Sequence, residues 1–354
     1  MFKGEEKLLL LNATGNEGAD AVLREVVGVF EGVFAGRVRG YYVDGSLANG
    51  SGVATSDVDL MVVFKGGFVG DEERRRVDEV VRQCVASCAV ELDLDVVDEQ
   101  ELLKGAGPAF KMGSLLVYGE DIREQVPLWP LEVWTRDRMH SSLWRTVHLW
   151  GRPAVVRYPL DYPDPTGEFY GYDRRKLRLA DGREVNCTRD LIRLVGWSAT
   201  GILAFKAGKY VARKRDCHRL YRECFDDEWA ELLQELYEVC RGKWKYLIPS
   251  DQEERQQLRR ICERTLKFEN HFLLVYKEFL LSELRSGDTA GKLQALWVLK
   301  RIAYDDREVE EAVRRLGYDE SEDVRGAAKE ITYPLSASGE GASRLRRALR
   351  PKLF

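Results

Sequence analysis

Apolar residues recur with two different periods along the first 120 residues. Helical spacing, in which apolar positions return every three or four residues, predicts helices at 20–34 and 71–89. Runs rich in Val, Leu and Tyr that end at glycine or acidic residues predict strands instead. The predicted strands, in chain order, lie at 37–43, 58–64, 91–97 and 114–118. A short helix is predicted to start at 99. The order predicts a small mixed sheet with helices, ending near residue 124.

The rest of the chain follows mainly the helical period, so the predicted fold class is α+β. Helices are expected at 131–149, 191–207, 214–225, 229–240 and 251–281. An irregular stretch with many tryptophans and tyrosines precedes most of them, and most of these aromatic rings are expected to join the two halves. The predicted organisation is a catalytic domain at 1–124, an aromatic-rich connecting segment at 125–184, a helical domain at 185–285, HEAT-like helices at 286–335 and a tail at 336–354.

The last predicted helices contain one phrase, at 319–328, that is typical of a HEAT repeat unit. One or two such units are too few for a solenoid, so we expect them to cap the helical domain. Helical repeats also present binding surfaces, so a protein partner is one expectation for this end. The Gly/Ser-rich and then basic tail is expected to be disordered or loosely docked.

Charge and composition exclude several classes of protein. The net charge of −4 disfavours non-specific binding of nucleic acid, and no run of about 18 apolar residues is present to span a membrane. Seven cysteines without a close CxxC pair favour buried thiols in a reducing cytoplasm. The four histidines are scattered, which argues against zinc.

Two carboxylates interrupt the most apolar predicted strand. Asp57 and Asp59 are two residues apart, so on a strand both point to one face while Val58 and Leu60 point to the core. Such a pair is costly unless a cation neutralises it, and Mg²⁺ prefers oxygen ligands. A solvated edge strand is the alternative, but the apolar run at 60–64 argues against exposure.

A third acid is expected from the next strand, where Glu91, Asp93 and Asp95 alternate along one face. One or two of them would complete a carboxylate cluster for two metal ions, or one would act as a general base. Upstream, the Gly45–Ser46 turn at a strand end is suited to hold a phosphate through backbone N–H groups and the serine hydroxyl.

Taken together, these residues resemble a known superfamily. Gly45-Ser46-Leu47-Ala48-Asn49-Gly50 followed by Thr55-Ser56-Asp57-Val58-Asp59-Leu60 is similar to the signature of the DNA polymerase β-like nucleotidyltransferases, and most of all to the aminoglycoside adenylyltransferases. The resemblance implies that Gly45, Ser46 and the adjacent Ser56 bind the nucleotide, and that Asp57 and Asp59 bind Mg²⁺. The third acid of the family maps to 91–95, with Asp93 preferred.

A second resemblance lies in the helical half. Segments 191–197 and 207–214 are similar to that family's C-terminal helical domain, where a lysine at a helix start contacts the nucleotide phosphates. Lys214 is the matching position, with Lys209 and Arg213 as nearby substitutes. A solvated basic helix start is the alternative. The aromatic segment and the HEAT-like helices depart from the family pattern, and both bear on the choice of acceptor.

The resemblance implies an enzyme of antibiotic resistance that transfers a nucleoside monophosphate, AMP from ATP, to a hydroxyl of an aminoglycoside-like acceptor. Asp226, Asp227 and Glu228 are either contacts for such a cationic acceptor or solvated surface acids, and Trp197 either lines the cleft or is a core tryptophan. Two alternatives remain within the superfamily: modification of a protein hydroxyl and synthesis of a nucleotide messenger. A degenerate fold that only binds nucleotide is a third.

Overall fold

The structure is a computed structural model that describes residues 8–53, 55–88, 90–179 and 182–331. The chain forms two compact units. Unit 1 comprises Met1–Arg152 and Asp161–Phe272, and unit 2 comprises Pro153–Leu160 and Leu273–Phe354. The tail predicted at 336–354 lies outside the described residues. No helix in the described ranges is long and apolar enough to cross a membrane.

A four-stranded mixed sheet forms the first half of unit 1, as the apolar pattern predicts. Its spatial order is β3-β2-β1-β4; β2 and β3 run parallel, while β1 is antiparallel to β2 and to β4. Every predicted strand is present within one or two residues of its expected ends. The strands are β1 (Val38–Asp44), β2 (Val58–Phe64), β3 (Leu92–Asp98) and β4 (Leu115–Gly119).

Two long helices and one short helix belong to the same half. They are α1 (Glu17–Val33), α2 (Gly70–Ser87) and α3 (Glu99–Leu102). The side chain of Asn16 accepts the N–H of Ala19 and so caps α1. The apolar faces of α1 and α2 and the inner residues of the strands share one core, which includes the fully buried Leu23 and Phe30.

The second half of unit 1 is mainly helical. Its helices are α4 (Leu131–His148), α5 (Arg189–Ala207), α6 (Cys217–Phe225), α7 (Glu228–Glu235) and α8 (Gln252–Ser286), of which α8 belongs to unit 1 as far as Phe272. Two predicted helices differ in detail. Lys214–Asp216 forms a 3₁₀ turn ahead of α6, and the helix after α7 widens into a π-helix at Leu236–Lys243.

A β-hairpin that the sequence pattern did not predict precedes α5. Strand β6 (Arg175–Arg178) pairs antiparallel with β7 (Glu184–Cys187). Three of the four residues of β6 are basic, so its apolar signal is a single buried residue, Leu177. The alternation is too short to distinguish a strand from a charged loop.

The described part of unit 2 contains the end of α8, three further α-helices and one pair of short strands. These elements are β5 (Val156–Arg157), α9 (Thr289–Leu299), β8 (Ile302–Ala303), α10 (Arg307–Arg315) and α11 (Glu322–Lys329), with β5 parallel to β8. Asp288, Asp306 and Ser321 cap the three helices through side-chain oxygens. The HEAT-like phrase at 319–328 coincides with the start and body of α11.

A buried ionic cluster lies within the aromatic part of unit 1. Glu269 is 1% exposed and accepts bidentate hydrogen bonds from Arg152 at 2.7 and 2.9 Å, together with bonds from Trp150 Nε1 and the Tyr172 hydroxyl. Burial would lower the pKa of Arg152, but Glu269 outweighs that effect and raises it. Because all four groups are satisfied only together, the cluster ties α8 to the segment that follows α4.

Substitution Glu269→Gln should destabilise the protein by about 2–4 kcal/mol, because it leaves the buried Arg152 guanidinium without a counter-charge. The free energy of unfolding in urea measures this effect. The control is Glu223→Gln, which removes an exposed partner 3.9 Å from Arg219 and should change stability by less than about 0.5 kcal/mol. Equal effects of the two substitutions would contradict the cluster's structural importance.

Candidate active site

Two carboxylates stand at the start of the central strand β2. Asp57 immediately precedes β2 and Asp59 is its second residue, and both side chains are half-buried. Val58 and Leu60 are 1% and 2% exposed and belong to the core. The predicted alternation is therefore present, with the two acids on the face opposite the core residues.

Asp59 is the centre of an acidic row that crosses three strands. It pairs with Asp44 on β1 and with Asp93 on β3, and residues paired across a ladder present their side chains on the same face. Of the three candidates for a third acid, Asp93 is the one in register with Asp59. Asp95 pairs one step further along, opposite Met61.

Glu91, the remaining candidate, is already bound by two arginines. Arg175 on β6 and Arg189 at the start of α5 both donate to its carboxylate. This double ion pair joins the beginning of β3 to the hairpin and to α5. Glu91 therefore has a structural role, because its ion pairs join the sheet half of unit 1 to the helical half.

The carboxylates supply oxygen ligands but do not form a preassembled metal cage. Within the described ranges, no group of three or more His, Cys, Asp or Glu side chains is arranged to hold a metal ion. Asp59 nevertheless has the character of a cation ligand, since no described residue donates a hydrogen bond to its carboxylate or lies within ion-pair distance of it. An incompletely neutralised carboxylate pair of this kind fits a hard divalent cation.

Positive charge reaches the pair from α5 and from the turn after it. Arg189 and Arg193 each place a guanidinium nitrogen 3.8 Å from Asp57 Oδ2. Burial alone would raise the pKa of Asp57, but these arginines outweigh it and hold the pKa below its ordinary value. Burial raises the pKa of Asp59 to about 6, against the opposing effect of Lys214 and with help from Asp57.

The loop from Gly45 to Ser56 forms one rim of this site. Gly45 has a φ of 70°, and a Cβ there would lie 2.3 Å from Asp59 Oδ2, so only glycine allows this approach. Its N–H donates to Asp44 Oδ1 at 2.7 Å. Ser46 bonds Ser56 at 3.2 Å between the hydroxyls, and the Ser56 hydroxyl accepts the N–H of Val53. Ser56 therefore stabilises the loop through hydrogen bonds to two of its other residues.

Two arginines from the helical half hold the loop from outside. Arg215 donates to the carbonyl of Asn49 at 3.1 Å, and Arg241 donates to the carbonyl of Ser51 at 2.7 Å. Arg241 is 8% exposed and also donates to the hydroxyls of Tyr237 and Tyr246. The loop conformation thus depends on contacts distant in sequence.

The two candidate lysines differ in position. Lys214, in the 3₁₀ turn before α6, lines the cleft together with the acids, and its charge acts on both Asp57 and Asp59. Lys209 is exposed just beyond the end of α5 and is not among the lining residues. Arg213 is likewise exposed and outside the lining.

These groups surround a cleft that is partly open to solvent. Its lining combines the acids and cations above with an apolar wall. The lining residues are Gly45, Ser46, Ser51, Asp57, Asp59, Arg189, Ile192, Arg193, Val195, Gly196, Trp197, Lys214, Arg215, Cys217, His218, Leu233, Leu236, Tyr237, Arg241 and Tyr246. Trp197 is half-buried and belongs to the cleft, whereas no aromatic residue of 129–172 does.

Several cleft residues were missed by sequence reasoning. Arg189 and Arg193 were not predicted, although they recur every four residues with the predicted Trp197 and so lie with it on one face of α5. Nothing in the spacing indicates that this face meets β2, however. Asp44 was not singled out from the sequence either, although it pairs directly with Asp59.

No protein-family model matches the chain, and no curated protein does. Among solved structures, the chain is similar to spectinomycin adenyltransferase AAD(9) from Enterococcus faecialis, solved with ATP and spectinomycin. The likeness covers 70% of this chain and 98% of that protein, at 14% sequence identity and a TM-score of 0.41. A likeness this distant does not assign an activity.

Gly45→Ala should cost more stability than Gly50→Ala, although both glycines have a left-handed φ near 70°. Each alanine incurs a backbone cost of about 1–2 kcal/mol. Only the Gly45 substitution also pushes against Asp59, because nothing lies within 4 Å of a Cβ at Gly50. The measurement is the free energy of unfolding of the two variants, repeated with Asp59→Ala, where the excess cost at Gly45 should disappear. An excess that survives Asp59→Ala would disprove the contact.

Proposed function

We propose that this chain is a metal-dependent nucleotidyltransferase that transfers a nucleoside monophosphate from an NTP to a hydroxyl of a small polar acceptor, with release of pyrophosphate. One observation carries the proposal. In a single cleft, two half-buried carboxylates on one strand face a glycine-containing loop and several cations. Carboxylates opposite cations suit a substrate that presents both a bound metal and a chain of phosphates.

Asp57 and Asp59 are the residues that would hold Mg²⁺, as two carboxylates supplying oxygen atoms. When bound, the metal would neutralise charge that develops on the phosphates during transfer. The raised pKa of Asp59 supports this assignment, because burial outweighs the nearby cations and a bound metal ion would stabilise the ionised carboxylate. ATP is the NTP that the sequence resemblance implies.

The chain's own cations bind and orient the triphosphate. Lys214 lines the same cleft as the acids, and its charge acts on both of them, so it is placed to neutralise phosphate charge there. The Ser46 hydroxyl lines the same cleft and supplies a neutral donor. Positioning and charge neutralisation of this kind provide most of the catalysis in phosphoryl and nucleotidyl transfer.

Asp93 is the proposed general base. It is exposed, and it lies beside Asp59 in the sheet, where an acceptor hydroxyl can reach it from solvent. In the transfer step the acceptor oxygen bonds to the α-phosphorus, the bond from that phosphorus to the bridging oxygen breaks, and the hydroxyl proton passes to Asp93. The bridging oxygen leaves with pyrophosphate.

An aminoglycoside-like acceptor, implied by the sequence resemblance, would need acids in the cleft to meet its positive charges. The acids at 226–228 do not line the cleft. Asp227 caps α7, since its side chain accepts the N–H groups of Trp229 and Ala230. Aminoglycosides are therefore one of the classes of acceptor to be compared in the assay.

Pyrophosphate release from each NTP with Mg²⁺, with and without candidate acceptors, tests the proposal. Release is expected with at least one NTP, and Asp57→Asn or Asp59→Asn should lower it by about 10³-fold or more, because the charge that holds the metal is lost. Asp78→Asn, an exposed acid on α2, is the matched control.

The outcomes of this assay discriminate among the alternatives. Release that needs no added acceptor would indicate messenger synthesis or self-modification, and release that needs a protein would indicate a protein acceptor. Full activity of either Asp57→Asn or Asp59→Asn would disprove the proposed metal site. Binding of Mg·NTP without any turnover would leave a nucleotide-binding module.

The two lysine candidates can be separated by substitution. Lys214→Ala should raise the KM for NTP by about 10-fold or more, since one charge-assisted contact to phosphate is lost. Lys209→Ala should change the same KM by less than about 3-fold, because its ammonium is exposed outside the cleft. The reverse order of effects would transfer the phosphate-binding role to Lys209.

A further inference from the structure

Arg241 is a buried cation whose hydrogen-bond partners are all neutral. It lies on the π-helix Leu236–Lys243, is 8% exposed and lines the cleft. Its guanidinium donates to the Tyr246 hydroxyl at 2.8 Å, to the Tyr237 hydroxyl at 2.5 Å and to the Ser51 carbonyl at 2.7 Å. No carboxylate of a described residue lies within 4.0 Å of it. These hydrogen bonds satisfy donors, but they leave a full positive charge without a counter-charge.

Two other deeply buried guanidiniums of unit 1 are paired with carboxylates. Arg189 is 3% exposed and donates to Glu91, and Arg152, whose side chain is 6% exposed, donates to Glu269. Removing a charge from water is costly, and an opposite charge in contact offsets part of that cost. Arg241 bears the same cost without such a partner in the described chain. An anion brought by a ligand would supply the missing counter-charge.

The carboxylates of β2 do not serve Arg241 in this way, because the cations that act most strongly on them are Lys214 and the two arginines of α5. Arg241 contacts the loop from Gly45 to Ser56 instead, through its bond to Ser51. A guanidinium has five N–H donors, of which Arg241 uses three. One donor on each terminal nitrogen therefore remains for an anion that enters the cleft.

The turn that carries Tyr246 is strained, as backbone at binding sites often is. Lys245 and Tyr246 have φ values of 52° and 68°, so two consecutive residues with side chains adopt the left-handed conformation. The Tyr246 carbonyl accepts the N–H and the hydroxyl of Thr188, and its N–H donates to the Cys240 carbonyl. These bonds fix the turn and keep the Tyr246 hydroxyl against Nε of Arg241.

We propose that Arg241 is a phosphate-binding residue of the nucleotide site, where the triphosphate supplies the counter-charge that the chain does not provide. The hydroxyls of Tyr237 and Tyr246 hold its guanidinium in place, and its bond to Ser51 joins the bound phosphates to the loop. This inference rests on the proposed function and adds a binding residue to it. The competing explanation is that Arg241 only tethers the loop.

The test measures the binding of pyrophosphate with Mg²⁺ to the full chain by calorimetry, because pyrophosphate presents phosphates without a base. The wild type should bind it. Arg241→Met keeps a long side chain but removes the charge, so it should weaken binding by about tenfold or more, as expected for lost charge-assisted hydrogen bonds. Arg241→Lys keeps the charge but not the planar fork, and should lose only about threefold.

The salt dependence of binding separates a bound charge from a tether. Salt screens the attraction between guanidinium and phosphate, so the wild-type affinity should fall more steeply with ionic strength than that of Arg241→Met. Thr55→Val is the matched control. The Thr55 hydroxyl donates to the Lys245 carbonyl at 3.0 Å, so it ties the same loop to the same turn without a charge, and Thr55 does not line the cleft. This variant should lose less than about threefold in affinity, with the salt dependence of the wild type.

Three results would overturn the assignment. They are an unchanged affinity in Arg241→Met, an equal loss in Arg241→Lys and Arg241→Met, and a loss that Thr55→Val reproduces with the same salt dependence. If Arg241→Met does not fold, Arg241→Lys decides, because an affinity equal to that of the wild type would show that the guanidinium does not bind phosphate.

Failure of the wild type to bind either pyrophosphate or any of the four NTPs with Mg²⁺ would instead overturn the proposed function. The failure of this inference and the failure of the proposed function are therefore distinguishable in one experiment.

Discussion

The apposition of the β2 carboxylates and the cations of α5 is the interaction on which the rest of the cleft depends. Asp57 and Asp59 are half-buried, so each is partly removed from water and repelled by the other. Arg189 and Arg193 outweigh this cost at Asp57, whereas Lys214 and Arg193 do not outweigh it at Asp59, so the pKa of Asp57 is lowered and that of Asp59 is raised. Because the nearby cations neutralise Asp57 more completely than Asp59, Asp59 is the carboxylate that a further cation would stabilise most. This arrangement also requires that α5 be held firmly against the start of the sheet.

Glu91 supplies that attachment. It follows Val90 at the entrance to β3 and accepts from Arg175 and Arg189, so a single carboxylate joins the sheet, the β6–β7 hairpin and α5. The loop from Gly45 to Ser56 is fixed in the same manner by Arg215 and Arg241. Acids and backbone carbonyls of the sheet half are thus bound by arginines of the helical half. Four arginines thus stabilise the architecture.

The sequence predicts the sheet half well because its signals are local. Alternation along 58–64 correctly predicts β2 and the face on which Asp57 and Asp59 lie, since side chains alternate strictly along a strand. The preference for Asp93 as third acid agrees with its register beside Asp59, although its chemical role remains a prediction. The β6–β7 hairpin and the partners of Arg189, Arg193 and Arg145 were not predictable. An arginine on a helix face looks the same in sequence whether it faces solvent or a carboxylate sixty or more residues away.

The same reasoning explains why the sequence indicates a metal site more clearly than it indicates the acceptor. The carboxylate pair and its loop lie within fifteen residues, so a resemblance in that stretch carries their arrangement with it. The contacts among α4, α5 and β3 join residues more than fifty positions apart, and they can change without altering the carboxylate motif. Arg145 illustrates the point, because its proximity to Trp197 exists only in the folded chain. Residues close in sequence therefore preserve the arrangement of the carboxylates, whereas the surroundings of the cleft depend on packing that the motif does not determine.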